Sequence, residues 1–501
     1  MRSCSCLLIL SVIFLTLSIF IAFYQHKITE IACKNVKSEV EEIKRKPKYI
    51  LHLGKEGSKT LSAVDDVLQR LGLEKINTTG LQPSEYPKDW DLFWSFAHHD
   101  RIKTQYDFTT VKFNQKLNHF PGNYALVSKS VLATKTKLKF IPAAFLTSEE
   151  VQNYAKIHPE KRFVIKLKGN RGVKLTKPED MNFTRTASLD DYFAQEFIED
   201  PLLWNGHKFD FSIFVVITSV NPLRFYYYNK NVNLRFCLKP YNTSNPDDVH
   251  SYVIGTEIFP AQEFPGAREY VFRDYTYRDA FEAFMKSKGA NLTEIWMKVE
   301  DLITQVVITK EKTFFEGIGN FGTPKFSHFE LYRFDMIFNE NFDLFLMEVN
   351  MSPNLLASSK ISMHKYFFES VLYNLFNLIG IGTNFEQNEF KFPSVDVELM
   401  VAHPNGMTIK PEICLSDTCI NNCDDPICNI CWHCLNVNEK FERILAYREQ
   451  MNLGDFKRLF PPNREVFNKL PINLVEENLL EETRKHVEWF FEMCKKNNKF
   501  C

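Results

Sequence analysis

Residues 331–350 have the sequence LYRFDMIFNENFDLFLMEVN, which predicts two apolar strands joined by a turn at residues 339–341. Residues two apart in an extended strand share a face, so Glu348 and Asn350 point the same way. Folding about the turn brings Asp335 roughly opposite Glu348. Two carboxylates and an amide carbonyl are oxygen ligands that suit Mg²⁺ bound to a nucleotide's phosphates. A polar strand edge without a ligand is the alternative.

The composition is that of a globular protein. The chain has 501 residues, enough for two or three domains, with 45% hydrophobic and 25% charged residues. Its 61 Lys and Arg residues balance 62 Asp and Glu residues to a net charge of −1, so no nucleic-acid partner is expected. The 46 Phe residues predict an aromatic core.

The N-terminus contains a long apolar stretch. Residues 7–24 carry no charged side chain over 18 residues, the lower limit for a helix that spans a bilayer. A secretory signal peptide is the alternative, although its apolar core is usually shorter and ends at a clear cleavage site. We expect an uncleaved membrane anchor at residues 1–25 and a charged stalk at residues 26–47, which would make the chain a single-pass membrane protein.

The cysteines bear on the compartment of the protein body. Six of the 12 cysteines lie between Cys414 and Cys434, an even and dense set that indicates a disulfide knot. Zinc ligation involving Cys428, Cys431 and His433 is one alternative, and free thiols are another. Disulfides and four Asn-x-Ser/Thr sequences favour a body in the ER or Golgi lumen, whereas the basic residues after the anchor favour the cytosol. Of the two, we expect the lumen.

The organisation along the chain indicates an α+β fold. From residue 163 onward, short strands alternate with turns in predicted antiparallel β-hairpins, without the regular alternation of strand and helix of a doubly wound sheet. One hairpin joins strands at residues 223–228 and 234–238. The predicted parts after the stalk are an N-terminal α/β domain at residues 48–145, a core at residues 146–398, a Cys-rich loop at residues 399–435 and a helical extension at residues 436–501.

The predicted strand at residues 207–213 presents Lys208, Asp210 and Ser212 on one face and apolar residues on the other. A lysine and an aspartate side by side need polar partners, which the phosphates and ribose of a nucleotide would supply. A surface ion pair is the alternative. Arg235, on the returning strand of the hairpin described above, projects beside Lys208 and is a candidate phosphate contact.

Another lysine ends an apolar strand. Residues 163–166 are Phe-Val-Ile-Lys, and a glycine-bearing loop at residues 169–173 follows. The backbone N–H groups of such a loop, together with Lys166, suit a phosphate. The loop lacks the Gly-Lys-Ser/Thr ending of a Walker A motif, and a simple turn is the alternative.

These segments, in this order, resemble the tubulin tyrosine ligase-like family of the polyglutamylase type, whose members have an ATP-grasp fold. The resemblance covers roughly residues 90–360. Besides residues 331–350, the segments that carry it are Asp89–Trp94, Leu117–Gly122 with Lys129, Lys166, Arg171-Gly172, Gln195–Ile198, Gly206–Asp210 and Leu234–Phe236.

The resemblance implies an ATP-dependent ligase that joins an amino acid, expected to be free glutamate, to a carboxylate of tubulin or another acidic protein. The implied catalytic residues are Arg235 and Lys129. The implied ligands of Mg²⁺ are Asp335, Glu348 and Asn350. The implied ATP contacts are Lys166, Arg171, Gly172, Lys208, Asp210 at the ribose, and an adenine hinge formed by Gln195, Glu196, Phe197 and Ile198.

Two positions depart from the family. The family usually has an arginine where this chain has Ser212, and a Thr-Asn pair that contacts the incoming amino acid where this chain has Tyr252-Val253. Loss of one arginine at a phosphoryl-transfer site costs on the order of 10³-fold in rate unless another cation, such as Arg224 or Lys239, takes its place. The alternatives are therefore an ATP-binding protein that does not ligate and a lumenal ligase with another substrate.

Overall fold

The computed structural model describes residues 46–501, apart from residues 54–60, 99–102, 113, 168–172, 182, 184–191, 256, 356–361 and 382–402. Residues 48–501 form one compact unit.

Sixteen strands lie within the described residues. They are β1 (Lys48–His52), β2 (Glu74–Lys75), β3 (Leu92–Ser95), β4 (Lys116–Asn118), β5 (Ala144–Phe145), β6 (Phe163–Leu167), β7 (Lys174–Thr176), β8 (Tyr192–Glu196), β9 (Leu203–Trp204), β10 (His207–Val220), β11 (Leu223–Tyr228), β12 (Asn233–Cys237), β13 (Ile258–Phe259), β14 (His328–Phe338), β15 (Leu344–Met351) and β16 (Phe456–Phe460).

The same part of the chain contains sixteen α-helices. They are α1 (Ser62–Arg70), α2 (Tyr124–Val127), α3 (Lys129–Lys135), α4 (Ser148–Ile157), α5 (Arg268–Val271), α6 (Tyr277–Ser287), α7 (Leu292–Ile308), α8 (Glu311–Phe321), α9 (Ser362–Leu378), α10 (Pro404–Met407), α11 (Pro411–Cys414), α12 (Asp417–Ile420), α13 (Val437–Met451), α14 (Arg464–Phe467), α15 (Ile472–Asn478) and α16 (Glu481–Lys496).

The strands form two sheets. The larger has twelve strands in the order β13-β12-β10-β14-β4-β3-β1-β2, with β9 and β11 also paired to β10, β15 to β14 and β16 to β11. The pairings β14–β4, β4–β3, β3–β1 and β1–β2 are parallel, whereas β10 pairs with β11, β12 and β14 in antiparallel fashion. The smaller sheet has the order β5-β8-β6-β7 and is antiparallel. The fold is therefore mixed α+β, as predicted.

The hairpin predicted between residues 223–228 and 234–238 is wrong. Both strands form, as β11 and β12, but each pairs with β10 instead of with the other. Since β14 occupies one edge of β10 along residues 211–217, β11 and β12 share the opposite edge in succession. At 14 residues, β10 is long enough to hold both strands, which brings β12 beside Asp210.

Alternate residues of β10 enter two apolar cores. On one face, Phe211, Ile213 and Val215 belong to the larger core, which also takes residues from α6 and α7. On the other face, Phe214 and Val216 pack in a core with α1 and α9. This second face becomes polar toward the beginning of β10, where it carries the predicted site residues.

Capping side chains define the beginnings of several helices. Three helices begin with a capping box, in which a side chain at the N-cap and an acidic side chain three residues later each accept a backbone N–H. The pairs are Thr147 with Glu150 for α4, Thr276 with Asp279 for α6 and Asn436 with Glu439 for α13.

The Cys-rich segment is held by disulfides, which confirms that prediction. The bonds are Cys414–Cys431, Cys419–Cys428, Cys423–Cys434 and, near the C-terminus, Cys494–Cys501. His433 lies with Cys423 and Cys434, the grouping that resembles a metal site, but the two sulfurs are bonded to each other and are not thiolates.

The predicted anchor at residues 7–24 lies outside the described residues. Within the part of the chain that the structure describes, no helix has both the length and the apolar character needed to cross a membrane. The predicted localisation, a single-pass membrane protein with its body in the ER or Golgi lumen, is therefore corrected: the described residues provide no membrane span in its support.

Candidate active site

The strands β14 and β15 form the hairpin predicted from the sequence. The amide oxygen of Asn339 accepts hydrogen bonds from the backbone N–H groups of Asn341 at 3.1 Å and Asp343 at 2.7 Å, which fixes the turn. The resulting register places Asp335 opposite Glu348, as predicted.

The carboxylate of Asp335 is buried and accepts hydrogen bonds from three side chains. Arg333 donates through Nε to Oδ1 at 2.7 Å and through Nη2 to Oδ2 at 2.8 Å. Arg235 donates to Oδ2 at 2.7 Å, and the amide of Asn350 donates to the same oxygen at 3.1 Å. These charge-assisted contacts fix the orientation of the carboxylate.

Asp210 faces Arg235 across the β10–β12 pairing. Arg235 donates through Nε to Oδ1 of Asp210 at 2.9 Å and through Nη2 to Oδ2 at 2.6 Å, so it bridges Asp210 and Asp335. Burial raises the pKa of Asp210 to about 6, against the opposing effect of the Arg235 charge. The bidentate contact with Arg235 favours the ionised form of this carboxylate.

Lys129, the first residue of α3, forms an ion pair with Glu348. The amide of Asn350 donates to the other oxygen of Glu348 at 3.0 Å. Burial alone would raise the pKa of Glu348, but the charge and hydrogen bond of Lys129 hold this pKa well below its usual value. Glu348 is therefore a carboxylate across the physiological pH range.

The predicted ATP contacts on the smaller sheet lie on β6 and β8. The ammonium group of Lys166 donates to the amide oxygen of Gln195 at 2.6 Å, and Gln195 donates to the carbonyl of Pro142 at 3.3 Å. Among the described residues, no carboxylate lies within ion-pair distance of Lys166. Burial and the nearby charge of Lys129 lower the pKa of Lys166 to about 8.

The remaining predicted hinge residues follow along β8 and its end. The ammonium group of Lys208 lies 4.7 Å from the ring centroid of Phe197, and burial lowers the pKa of Lys208. Ile198 is buried. Glu196 instead forms an ion pair with Lys161 at 2.6 Å.

The predicted site residues come together in two groups. One group, on the larger sheet and α3, consists of Lys129, Lys208, Asp210, Arg235, Asp335, Glu348 and Asn350. The other, on and after the smaller sheet, consists of Lys166, Gln195, Glu196, Phe197 and Ile198. The two groups meet where the ammonium group of Lys208 lies 4.7 Å from the ring centroid of Phe197. The predicted Arg171 and Gly172 lie outside the described residues.

Arg333 is a site residue absent from the predicted set. Its guanidinium group belongs to the network around Asp335, two residues further along β14. The signal was present in the sequence, because residues two apart on a strand share a face. Among the described residues, adding Arg333 brings the cations of the two groups to five, against four carboxylates, one of which, Glu196, pairs with Lys161.

Arg224 and Lys239, which were suggested as substitutes for the family's arginine at the position of Ser212, lie away from the site carboxylates. Arg224 is buried and pairs with Glu449 at 2.7 Å. Lys239 is half exposed and pairs with Asp248 at 3.0 Å. Neither contacts the carboxylates of the site among the described residues.

Tyr252, at the place of the family's Thr-Asn pair, packs behind the hinge. Its ring lies edge-on to Phe197 with the centroids 5.9 Å apart. Its hydroxyl donates to the carbonyl of Pro246 at 2.5 Å and accepts from the N–H group of Leu175 at 3.4 Å. Tyr252 therefore packs against Phe197, one of the predicted hinge residues, with its hydroxyl engaged by the backbone.

The oxygen atoms of the paired carboxylates fit a divalent cation. Oδ1 of Asp335 and each carboxylate oxygen of Glu348 accept one side-chain hydrogen bond or ion-pair contact apiece. Each such oxygen retains a lone pair, and carboxylate oxygens are the ligands that Mg²⁺ prefers.

Comparison with known proteins places these residues within one family. Residues 108–389, or 282 of the 501 residues, match the Tubulin-tyrosine ligase family. The probable tubulin polyglutamylase ttll-15 of Caenorhabditis elegans is 29% identical over 424 residues, which cover 82% of this chain and 79% of the relative.

Other relatives are much longer than this chain. The tubulin polyglutamylase TTLL6 of Mus musculus is 27% identical over 60% of this chain and 38% of its own length. The tubulin monoglutamylase TTLL4 of Homo sapiens is 24% identical over 61% of this chain and 26% of its own length. Since the family match covers more than half of the chain and contains all of the predicted site residues, the chain belongs to the tubulin-tyrosine ligase family.

Proposed function

We propose that this chain is an ATP- and Mg²⁺-dependent ligase that joins the amine of glutamate to a side-chain carboxylate of tubulin. The observation that carries the proposal is the buried network in which Asp335 and Glu348 stand opposite each other among Lys129 and Arg235. Paired carboxylates beside several cations are the arrangement that metal-assisted phosphoryl transfer requires.

Asp335, Glu348 and Asn350 would hold the metal. The free lone pairs of the two carboxylates are the ligands, and the ion pairs with Lys129 and Arg235 orient them. Bound Mg²⁺ would neutralise phosphate oxygens during phosphoryl transfer.

Lys166 and Lys208 would bind the phosphates of ATP. Lys166 has no carboxylate partner among the described residues, and Lys208 contacts an aromatic ring, so both ammonium groups are available to an anion. Gln195 to Ile198 would form the adenine hinge, and the two sheets would enclose the nucleotide as in an ATP-grasp fold. Asp210 would meet the ribose.

The reaction would proceed in two steps. The acceptor carboxylate attacks the γ-phosphorus of ATP, and the bond from this phosphorus to the β–γ bridging oxygen breaks. The products of this step are ADP and an acyl phosphate on the acceptor. The amine of glutamate then attacks the acyl carbon, loses a proton and expels inorganic phosphate as the amide forms. Arg235 and Lys129 would stabilise the negative charge that develops on the transferring oxygens.

The choice of tubulin and glutamate rests on the relatives, which are named as tubulin polyglutamylases and a tubulin monoglutamylase. The identity of about a quarter of the residues and the shared family make the same chemistry the first hypothesis for this chain.

Release of ADP by the purified chain tests the proposal. With Mg·ATP, tubulin and glutamate present together, we expect ADP release well above that seen when either tubulin or glutamate is omitted. The variant Glu348→Gln should lose this release because it lacks one metal carboxylate. Glu465→Gln, which removes only an exposed ion pair with Lys469, should retain it.

A protein that binds ATP without ligating is the second candidate. Ser212 and Tyr252 favour it, because the cation and the Thr-Asn pair usual in the family are missing at these positions. Tight Mg·ATP binding without acceptor-dependent ADP release would support this candidate and contradict the ligase.

A further inference from the structure

Ser212 brings no charge to the site carboxylate that it faces. Ser212 lies directly opposite Asp335 in the β10–β14 pairing. Its side chain is fully buried, and among the described residues its hydroxyl has no hydrogen-bond partner. Buried hydroxyl groups normally have one, so Ser212 neither donates to Asp335 nor neutralises its charge.

Arg333 brings a guanidinium group to the same carboxylate from β14. Its side chain is 13% exposed and makes a bidentate contact with Asp335, at 2.7 and 2.8 Å. Asp335 is therefore flanked by two guanidinium groups, because Arg235 contacts it as well.

The two guanidinium groups balance Asp210 and Asp335 only while no metal is bound. Arg235 pairs with both carboxylates, Arg333 pairs with Asp335, and Lys129 pairs with Glu348. A divalent cation bound at Asp335 and Glu348 would give this buried cluster an excess of positive charge, which costs free energy unless an anion completes the set. The transferring phosphoryl group of the proposed reaction is such an anion.

We infer that Arg333 takes the cationic place that Ser212 leaves open, so that the arginine missing from β10 is supplied from the neighbouring strand. Arg333 is then a positioning residue that orients Asp335 and adds positive charge at the γ-phosphoryl end of the nucleotide. The inference rests on the proposed ATP site, but it does not require that ligation is complete.

Two variants and a control test whether Arg333 supplies the cation that is absent at Ser212. Arg333→Ala removes the guanidinium group, and the double variant Ser212→Arg/Arg333→Ala returns one from the opposite strand. Arg268→Ala, which removes an exposed arginine paired with Glu269, is the matched control. Thermal unfolding of each protein verifies that it is folded before the comparison.

The first measurement is kcat for acceptor-dependent ADP release. We expect Arg333→Ala to lower kcat on the order of 10³-fold, the contribution typical of an arginine at a phosphoryl-transfer site. The double variant should recover much of this loss, and Arg268→Ala should match the unaltered protein. A folded Arg333→Ala protein with unchanged kcat, or a loss that Ser212→Arg does not repair, would overturn the inference.

The second measurement is independent of ligation. The ratio of the Kd for Mg·ADP to the Kd for Mg·ATP reports how strongly the protein holds the γ-phosphoryl group. We expect Arg333→Ala to reduce this ratio toward one and the double variant to restore it. If the unaltered protein does not ligate but the ratio behaves in this way, the proposed function fails and the inference stands.

The same titrations distinguish a competing role for Arg333. If its guanidinium group instead occupied the place of the metal, Arg333→Ala would bind Mg²⁺ more tightly and lose no preference for ATP over ADP. That result would overturn the inference.

Discussion

The ammonium group of Lys129 and the carboxylate of Glu348 form an ion pair that joins the beginning of α3 to β15. The contact fixes Glu348 on the side where Asp335 lies, since the two carboxylates are opposite each other in the hairpin. A helix that precedes the smaller sheet in sequence thereby controls the orientation of a candidate metal ligand on the larger sheet.

The variant Glu348→Gln should weaken Mg²⁺-dependent ATP binding by at least about tenfold, because even the partners of metal ligands typically contribute this much. Isothermal titration with ATP, with and without Mg²⁺, measures the effect. Glu465→Gln is the control, since its carboxylate forms an exposed ion pair. Equal Mg²⁺ dependence in Glu348→Gln and the unaltered protein would contradict the assignment of Glu348.

ATP affinity should fall as the pH rises from 7 to 9. The pKa of Lys166 is lowered to about 8, so its ammonium group is charged below that pH and loses its charge, and with it the attraction for phosphate, above it. In Lys166→Arg the guanidinium group stays protonated throughout this range, so the fall should be much smaller. A parallel fall in both proteins would show that another group titrates.

Glu449→Gln should destabilise the protein by about 3–5 kcal/mol, the usual cost of removing one partner of a buried ion pair. Glu449 on α13 accepts hydrogen bonds from Arg224, Thr218 and Tyr226, so the change leaves the buried Arg224 without a counter-charge. Chemical denaturation measures the free energy of unfolding. Glu465→Gln, at an exposed pair, should change it by less than about 1 kcal/mol. Similar losses in both variants would contradict a stabilising role for this pair.

Alkylation without reduction should leave the six cysteines from Cys414 to Cys434 unlabelled, since all six are paired. Cys237 is a free, buried thiol and should react only after denaturation. Peptide mapping by mass spectrometry reads out both results. Labels on the six cysteines, or a bound zinc ion, would contradict the disulfide knot. Removing the Cys414–Cys431 bond, which spans 17 residues, should cost about 3 kcal/mol of stability.

The sequence predicts the site hairpin well because two local signals agree. Apolar residues alternate with polar ones through Asp335 and Glu348, and the Asn-rich turn sets how the strands align. The strand at residues 223–228 has the predicted bounds for the same reason, a short apolar run between turn residues.

Sequence periodicity does not determine which strands pair. It identified β11 and β12 but not that both lie along one edge of β10, because that depends on where β14 packs. Arg333 was missed for a related reason. Its alternation with Asp335 is visible in the sequence, but only the pairing with β10 reveals that the uncharged Ser212 faces this carboxylate.

Amide formation on tubulin should depend on Mg·ATP bound at the network of Asp335 and Glu348. Tandem mass spectrometry of tubulin peptides, after incubation with the full chain, Mg·ATP and glutamate, detects the product itself. We expect glutamyl residues joined through side-chain carboxylates, one ATP converted to ADP for each residue added, and neither product with Glu348→Gln. Unmodified tubulin, despite measured ATP binding, would contradict this expectation.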